Sequence, residues 1–224
     1  MKDYLDIVYG RGSKPLTNYP EQLVDYIIEQ AGIKGRTGLS LMEPGVGCGD
    51  HLRIFKEKGF VVRGLDISER SKEMSPDLDI DVMDSDGKIW PYEDCSFDVI
   101  YSKSFIEHLI DPELFLSEAF RVLKPGGLIV TLTPDWAANY KKFYDDYTHK
   151  SPFTTVSLRN IKLSAGFVDV NSFTFRQLPY TWYNPFLNGL CALVAPFVPY
   201  QTQTKFLRWS RELMLMSYGT KPRD

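Results

Sequence analysis

The stretch LMEPGVGCGD, residues 41–50, decides the fold of this 224-residue chain. A short apolar run leads directly into three glycines, Gly45, Gly47 and Gly49. Glycine lets the backbone take a positive φ or lets a ligand approach the chain closely. A mononucleotide-like ligand at the end of a first strand is one interpretation of such a loop, and a tight turn without a ligand is the other.

The residues around the glycines narrow the class of ligand. A dinucleotide fingerprint, GxGxxG, would place its third glycine at position 50, where this chain has Asp50. A pyrophosphate prefers a helix N-terminus without negative charge, and Asp50 would repel it. Glu43, two residues before the first glycine, suits a cationic group such as an α-amino group or a sulfonium.

Strand and helix patterns alternate outward from this loop. Strands are predicted at 39–43, 61–68, 78–84, 97–104, 128–134, 167–177 and 212–222, and helices at 20–31, 50–60, 111–127 and 154–166, with a short helix after Ser68. This alternation implies βαβ units and a mainly parallel sheet with helices on both faces, an α/β, Rossmann-like, doubly wound fold. Ligands in such sheets bind at the carboxyl ends of the strands.

Two more acidic residues lie at predicted strand ends. Asp66 closes the second strand, where a carboxylate can accept both hydroxyls of a ribose. Its alternative role is the N-cap of the next helix. Asp84 closes the third strand, where an adenine amino group would lie. The alternative there is a turn, because DSDG is also a turn sequence.

Three segments together resemble the class I S-adenosylmethionine-dependent methyltransferases. They are LMEPGVGCGDHLRIFKEKGFVVRGLDIS, WPYEDCSFDVIYSKSFIEHLIDPELFLSEAFRVLKPGGLIVTLTP and ELMLMSYGTKP. The resemblance covers roughly residues 39–134 and the strand at 212–222. It implies a seven-stranded sheet of order 3-2-1-4-5-7-6 with the last strand antiparallel, S-adenosyl-L-methionine as cofactor, and methyl transfer as the activity.

The resemblance also implies a role for each matching residue. The loop against the methionine part of the cofactor would be formed by Glu43, Gly45, Gly47 and Gly49. Asp66 would hold the ribose, with Ile67 packed on the adenine. Met83 and Asp84 would contact the adenine face and edge, and Ser102 and Lys103 would flank the cofactor. Lys103 departs from the family, in which small or amide residues are more usual at that position.

The acceptor side points to one histidine. Methyl transfer to an alcohol gains from a general base, and histidine is best matched near neutral pH. His149 lies in FYDDYTHKSPFT, after strand five, where acceptors usually bind, and Asp145 and Asp146 are close enough in sequence to orient it. A solvated loop histidine is the alternative. The other two histidines, His51 and His108, are expected to have structural roles.

The same loop suggests an acceptor class. DDYTHKSPFT loosely resembles loops of methyltransferases in polysaccharide and nucleotide-sugar pathways, so a sugar or glycan hydroxyl is the first expectation. We therefore expect a single methyltransferase domain over 1–224, with an insertion at 135–155 and an apolar insertion at 178–210 near the acceptor. A non-catalytic cofactor-binding or scaffold protein of the same fold is an alternative.

The second insertion is unusual because residues 177–204 contain no charged residue. Three interpretations remain open: a lid over the acceptor, a membrane-surface contact through 178–204, or a homodimer contact. The membrane interpretation keeps a lipid or quinone-type acceptor as an alternative. Four prolines interrupt the stretch, so it is too short and broken to span a bilayer.

Composition limits the partners and the compartment. A net charge of -3 and a pI near 5.7 give no support for a nucleic-acid partner. Three cysteines without metal or CxxC spacing fit a reducing cytosol, and the first residues lack an apolar signal-peptide core. The expected location is cytoplasmic, with a peripheral membrane position as the alternative. No metal site is expected, since Asp135 and Asn139 have no partner set in sequence.

Overall fold

The structure is a computed structural model of the chain, and it describes residues 4–5, 18–199, 202 and 204–223. Its strands are β1 (Ser40–Pro44), β2 (Val61–Asp66), β3 (Ile80–Val82), β4 (Phe97–Lys103), β5 (Leu123–Pro134), β6 (Val168–Arg176) and β7 (Leu213–Thr220). The helices from 18 onward are α1 (Tyr19–Gln30), α2 (Asp50–Glu57), α3 (Glu69–Met74), α4 (Pro112–Val122), α5 (Trp136–Asn139), α6 (Thr155–Ser164), α7 (Pro185–Val194) and α8 (Lys205–Arg211).

All seven strands form one sheet in the order β3-β2-β1-β4-β5-β7-β6. The first five strands pair in parallel, and β7 runs antiparallel to both β5 and β6. This confirms the predicted fold class and strand order. The carboxyl ends of β1, β2, β3 and β4 therefore lie at one edge, with the glycine loop beside the point where the order reverses.

Two hydrophobic clusters hold the helices against the two faces of the sheet. Leu41 and Val99 point to the cluster that contains residues of α1 and α2. Their chain neighbours Met42 and Ile100 point to the cluster that contains residues of α4 and α6. Because consecutive residues of a strand face opposite sides, a central strand covered on both faces must be apolar at nearly every position.

Side-chain caps fix three of the helix starts. The hydroxyl of Ser68 accepts the backbone N–H of Arg70 at the start of α3. The carboxylate of Asp111 accepts the N–H of Leu114 at the start of α4. Thr154 forms a capping box at the start of α6. Each cap satisfies an N–H that the first helical turn leaves without a partner.

The helix predicted within 111–127, with a Pro-Gly-Gly stop, ends shortly before that stop. It ends at Val122, and Leu123 already pairs with Phe97 in the sheet. The register then shifts, so that Val99 pairs with Leu128, and the intervening residues 124–127 bulge out of the ladder. A side chain at Gly127 would lie 2.8 Å from the Lys124 carbonyl oxygen, which explains why the bulge contains glycine.

The uncharged stretch 177–204 forms the helix α7, which the sequence did not predict. The amide side chain of Asn184 caps it and Pro185 starts it. Within α7 only Cys191 is buried, and Phe186 is 83% exposed. Helical spacing did not reveal α7 because apolar residues lie on all its faces. None of the helices within the described ranges is long and apolar enough to cross a bilayer.

Candidate active site

The glycine loop joins β1 to α2 with a left-handed backbone at each glycine. The φ angles are 72° at Gly45, 58° at Gly47 and 74° at Gly49. A Cβ at Gly45 would lie 2.4 Å from the Phe105 ring, and a Cβ at Gly49 would lie 2.4 Å from the Ser75 hydroxyl. Both positions thus require glycine for backbone angle and for packing, so the tight-turn interpretation accounts for part of the motif.

Asp66 ties this loop to the end of β2. Its Oδ2 accepts the N–H of Gly47 at 2.8 Å, and its Oδ1 accepts the N–H of Ser68 at 2.9 Å. The cap of α3 is Ser68 and not Asp66, so the N-cap alternative for Asp66 does not hold. Asp66 is 8% exposed, whereas the next residue, Ile67, is 68% exposed. An open apolar side chain therefore lies next to a nearly buried carboxylate.

The end of β3 lies beside Asp66. The N–H of Met83 donates to the Asp66 carbonyl oxygen at 2.7 Å, and Met83 is half-buried. Asp84 accepts the N–H of Asp86 and lies 3.3 Å from the Lys88 ammonium, so it does occupy a turn. Asp66, Ile67, Met83 and Asp84 thus lie at the ends of the neighbouring strands β2 and β3.

Glu43 is a buried carboxyl group at the end of β1. It is 3% exposed, and its Oε2 has no hydrogen-bond partner among the described residues. Burial raises the pKa of Glu43 well above its usual value, and the nearby Lys103 charge opposes that rise. A buried polar group without a full set of hydrogen-bond partners lowers the free energy of unfolding by about 1–3 kcal/mol. A cationic ligand group bound to Glu43 would remove this penalty.

Three other buried polar atoms near Glu43 also lack a partner within the described ranges. They are the Tyr101 hydroxyl, the Ser102 hydroxyl and the His51 Nε2. Tyr101 and Ser102 belong to β4, the parallel neighbour of β1, and His51 belongs to the first turn of α2. Tyr101 lies on the same face of the sheet as Glu43 and Ser102 on the opposite face, because consecutive strand residues alternate, so a cationic ligand group at the end of β1 would meet Glu43.

His51 has the packing role that was expected of it. Its ring meets the Tyr101 ring edge-on at 5.9 Å. Burial and, secondarily, the Lys103 charge lower the pKa of His51 to about 3. His51 is therefore neutral over the physiological range and brings no positive charge to the glycine loop.

The turn Ile106–His108, which follows β4, contains Glu107, which was not predicted as part of the site. Its Glu107 is fully buried, and its Oε2 accepts the Thr133 hydroxyl at 2.9 Å. The Glu107 carbonyl accepts the N–H groups of Lys150 and Ser151. This pins the loop of the first insertion to the turn and brings the rings of His108 and His149 to 4.7 Å.

His149 is oriented by a backbone carbonyl. Its Nδ1 lies 2.6 Å from the Phe143 carbonyl oxygen, and its Nε2 lies 4.0 Å from Asp146 Oδ2. The sequence suggested Asp145 and Asp146 as orienting groups, whereas the closest orienting contact is Phe143. A carbonyl can only accept, so Nδ1 carries the hydrogen and Nε2 carries the lone pair.

A cavity of about 650 Å³ opens beside His149. It lies where β5 ends and β7 begins, and its lining includes Pro134 and Leu213. Charged residues of both signs line it: Lys142, Asp145, Asp146, Arg208 and Glu212. Arg208 belongs to the unpredicted helix α8. A charge pattern in sequence could not have revealed this wall, because Lys142 and Arg208 are 66 positions apart.

Comparisons with known proteins agree with this geometry. Residues 42–131 match the family model described as a methyltransferase domain. The chain is 35% identical over 105 residues to 2-methyl-6-phytyl-1,4-hydroquinone methyltransferase of Synechocystis. It is 28% identical over 150 residues to phosphoethanolamine N-methyltransferase 2 of Caenorhabditis elegans. These matches include 44% and 61% of this chain, and 32% and 34% of the two relatives. The chain thus spans about a third of each relative.

Solved structures share the fold. A S-adenosylmethionine-dependent methyltransferase of Archaeoglobus fulgidus superposes with a TM-score of 0.68 at 21% identity, covering 98% of this chain and all of that one. Phosphoethanolamine N-methyltransferase 2 of Haemonchus contortus, solved with S-adenosyl-L-methionine, superposes with a TM-score of 0.65 at 19% identity, covering 97% and 56%. The domain match and these relatives support an enzyme that uses S-adenosyl-L-methionine. Residues 42–131 therefore match a methyltransferase domain, and the chain shares the fold of S-adenosylmethionine-dependent methyltransferases.

Proposed function

We propose that this protein transfers a methyl group from S-adenosyl-L-methionine to a hydroxyl of a polar small-molecule or glycan acceptor. The observation that carries the proposal is the set of unpartnered buried polar atoms at the ends of β1 and β4, with a charged cavity nearby. The whole chain, 1–224, would act as one domain, and its insertions at 135–155 and 178–210 would supply the walls of that cavity.

The residues at the strand ends would divide the cofactor between them. Glu43, with the loop of Gly45, Gly47 and Gly49, would hold the methionine part, and Asp66 would accept hydrogen bonds from the ribose. Ile67 and Met83 would cover the adenine and Asp84 would meet its edge. Ser102 and Lys103 would flank the same pocket. Burial raises the pKa of Glu107 to about 7, and the Lys103 charge opposes that rise.

Bound S-adenosyl-L-methionine supplies an electrophilic methyl group, so the chain has to position the acceptor and remove its proton. His149 would accept the proton of the acceptor hydroxyl at Nε2. The Phe143 carbonyl fixes the ring so that this nitrogen carries the lone pair. Lys142 and Arg208 would orient a polar or anionic acceptor in the cavity.

His149→Gln tests the catalytic part of the proposal. Turnover should fall about 10²–10⁴-fold, the usual contribution of a positioned base. Cofactor affinity should not change, because Glu43 and Asp66 lie at the ends of β1 and β2, whereas His149 lies in a loop after β5. Formation of S-adenosylhomocysteine with a panel of sugars and glycans gives the turnover. Normal turnover in His149→Gln would exclude His149 as the general base. Cofactor binding by the native chain without turnover on any acceptor would support the scaffold alternative.

A second candidate is an acceptor that reaches the cavity from a membrane surface, such as a lipid or quinone. It is favoured by the exposed apolar residues of the second insertion: Phe186 at 83%, Leu193 at 71% and Phe197 at 83%. Two of the curated relatives are named for a hydroquinone and for phosphoethanolamine. Arg208 and Arg211 in the adjacent α8 would add attraction to anionic lipids.

Phe186→Ser separates the three interpretations of the second insertion. A membrane contact predicts that the native chain sediments with anionic vesicles and that Phe186→Ser does so several-fold less. A homodimer predicts a loss of dimer in light scattering and no vesicle binding by either protein. A lid predicts monomers with an altered acceptor KM. Vesicle binding that Phe186→Ser leaves unchanged would exclude this apolar surface as the membrane contact.

A further inference from the structure

We propose that Glu107, His108 and His149 form a binding site for a divalent transition-metal ion beside the acceptor cavity. The three residues come from the turn after β4 and from the loop of the first insertion. One ligand atom from each lies within 4.8 Å of the other two. Glu107 and His149 are 42 positions apart, so no spacing in the sequence could have indicated this set.

The hydrogen bonds of His108 define its tautomer. Its Nδ1 lies 2.8 Å from the Thr148 hydroxyl oxygen, and that hydroxyl donates its only hydrogen to Asp146 Oδ1 at 2.6 Å. The Thr148 oxygen must therefore accept from His108 Nδ1, which carries the hydrogen. Asp146 also accepts the Thr148 N–H and the Tyr4 hydroxyl, as an ionised carboxylate does.

His149 has the same tautomer, because its Nδ1 donates to the Phe143 carbonyl. Both rings thus keep the lone pair on Nε2. An imidazole whose other nitrogen donates to a carbonyl, carboxylate or hydroxyl oxygen is oriented as metal-binding histidines are. Phe143 and the Asp146–Thr148 pair would be the groups that hold the two ligand rings.

Glu107, the third proposed ligand, is independent evidence for a cation at this site. Glu107 is fully buried, and its Oε1 has no hydrogen-bond partner among the described residues. Asp146 Oδ2 also lies 4.0 Å from His149 Nε2. A carboxylate oxygen and two imidazole lone pairs are all acceptors, and a cation bound between these three residues would supply the positive partner that Glu107 Oε1 lacks among the described residues.

The ligand set favours a transition metal over Ca²⁺ or Mg²⁺, which prefer oxygen ligands. Two imidazoles and one carboxylate suit Zn²⁺, Co²⁺, Mn²⁺ or Fe²⁺. Ligand bonds of about 2.0–2.2 Å would bring the ligand atoms to roughly 3–3.5 Å from one another. Binding therefore requires the loop at 148–151 and the turn at 106–108 to approach each other by about 1–2 Å.

Metal binding would block the proton acceptor. The His149 Nε2 lone pair can bind a metal ion or accept the proton of a substrate hydroxyl, but not both at once. We therefore infer that an ion at this site inhibits methyl transfer. This consequence rests on the proposed function, whereas the binding site itself does not.

Calorimetry with Co²⁺ on untagged protein tests the site directly. We expect one bound ion per chain and an affinity that falls at least tenfold in His108→Gln, because that change removes one nitrogen ligand. Glu107→Gln should weaken binding as well. His51→Gln, which removes a histidine from another part of the fold, is the matched control and should bind Co²⁺ as the native chain does.

Two further measurements extend the test, the first independent of activity and the second of its proposed effect on methyl transfer. Saturating Co²⁺ should raise the unfolding midpoint of the native chain and of His51→Gln. The midpoint of His108→Gln should rise much less. Saturating Co²⁺ should also inhibit methyl transfer by the native chain more than by His108→Gln. The absence of stoichiometric binding, or equal affinity in folded His108→Gln, would overturn the site. Binding by a chain that shows no methyl transfer would support the site and contradict only the proposed function.

Discussion

Replacing Asp66 with alanine tests the cofactor site at the residue that connects two of its parts. The carboxylate now accepts N–H groups from Gly47 in the glycine loop and from Ser68 after β2. Asp66→Ala removes both acceptors and also the group proposed to bind the ribose. We therefore expect two separable losses, one in folding free energy and one in cofactor affinity.

The size of each loss follows from these bonds. An orphaned backbone N–H costs about 1–3 kcal/mol where water cannot replace the acceptor. Asp66 is 8% exposed, so we expect Asp66→Ala to lose roughly 2–4 kcal/mol of folding free energy across the two donors. Hydrogen bonds from the ribose to a charged group are worth about 1.5–3 kcal/mol, which corresponds to roughly 10- to 100-fold in affinity.

Asp98→Asn is the matched control at the amino-terminal ends of the strands, opposite the proposed cofactor site. Asp98 lies near the amino end of β4, where it accepts the N–H and hydroxyl of Ser40 and pairs with Lys124 at 2.8 Å. Its replacement should lower stability without changing cofactor affinity. Urea unfolding gives the first quantity, and calorimetry with S-adenosyl-L-methionine gives the second.

The outcome that refutes this reasoning is specific. A folded Asp66→Ala protein that binds S-adenosyl-L-methionine with native affinity would remove Asp66 from the cofactor site. NAD binding as tight as that of S-adenosyl-L-methionine would contradict the assignment of the loop equally. An affinity loss of the same size in Asp98→Asn would show that the loss reflects general destabilisation.

Two further changes test the packing of the site and its pH dependence. Gly45→Ala combines a φ of 72° with a Cβ 2.4 Å from the Phe105 ring, whereas Gly59→Ala has a φ of 88° and only Thr37 at 3.5 Å. Urea unfolding should show about 1–3 kcal/mol from strain in both and a clearly larger loss at Gly45, and equal losses would exclude the ring contact. The hydrogen bond from Arg63 outweighs burial and lowers the pKa of Asp81, so its contribution is present above the unfolded pKa near ~3.9 and is lost as pH falls further. Asp81→Asn should therefore lose up to about 1 kcal/mol at pH 7 and progressively less as the pH falls below ~3.9, and a difference that grows as the pH falls would contradict this sign.

The central part of the fold could be predicted from local pattern. Strands β1 and β4 contain the consecutive apolar runs Leu41–Met42 and Val99–Tyr101 because both of their faces are buried, and Ser68 and Asp111 marked helix starts with their caps. The strand order did not follow from periodicity. It came from the resemblance carried by segments such as 41–50, since pairing partners are set by long-range contacts.

The acceptor side was less predictable for physical reasons. Helix α7 is apolar on all faces, so no helical period separates it from a loop or a strand. Glu107 resembled a routine residue of a turn, and the long-range hydrogen bonds that its backbone carbonyl accepts from Lys150 and Ser151 could not be seen in the sequence. The roles proposed for His149 and for the cofactor residues remain predictions.

The antiparallel strand β7 controls the order in which this protein can be completed on a ribosome. It lies between β5 and β6 and pairs with both. Leu128 of β5 therefore cannot pair until Thr220, 92 positions further along the chain, has been synthesised. At about 5–20 residues per second, that interval is roughly 5–20 s. Strands β1 to β5 can pair before then, and a cofactor already present in the cell can bind them and protect the nascent domain. The edge of β5 stays open to wrong partners throughout this interval.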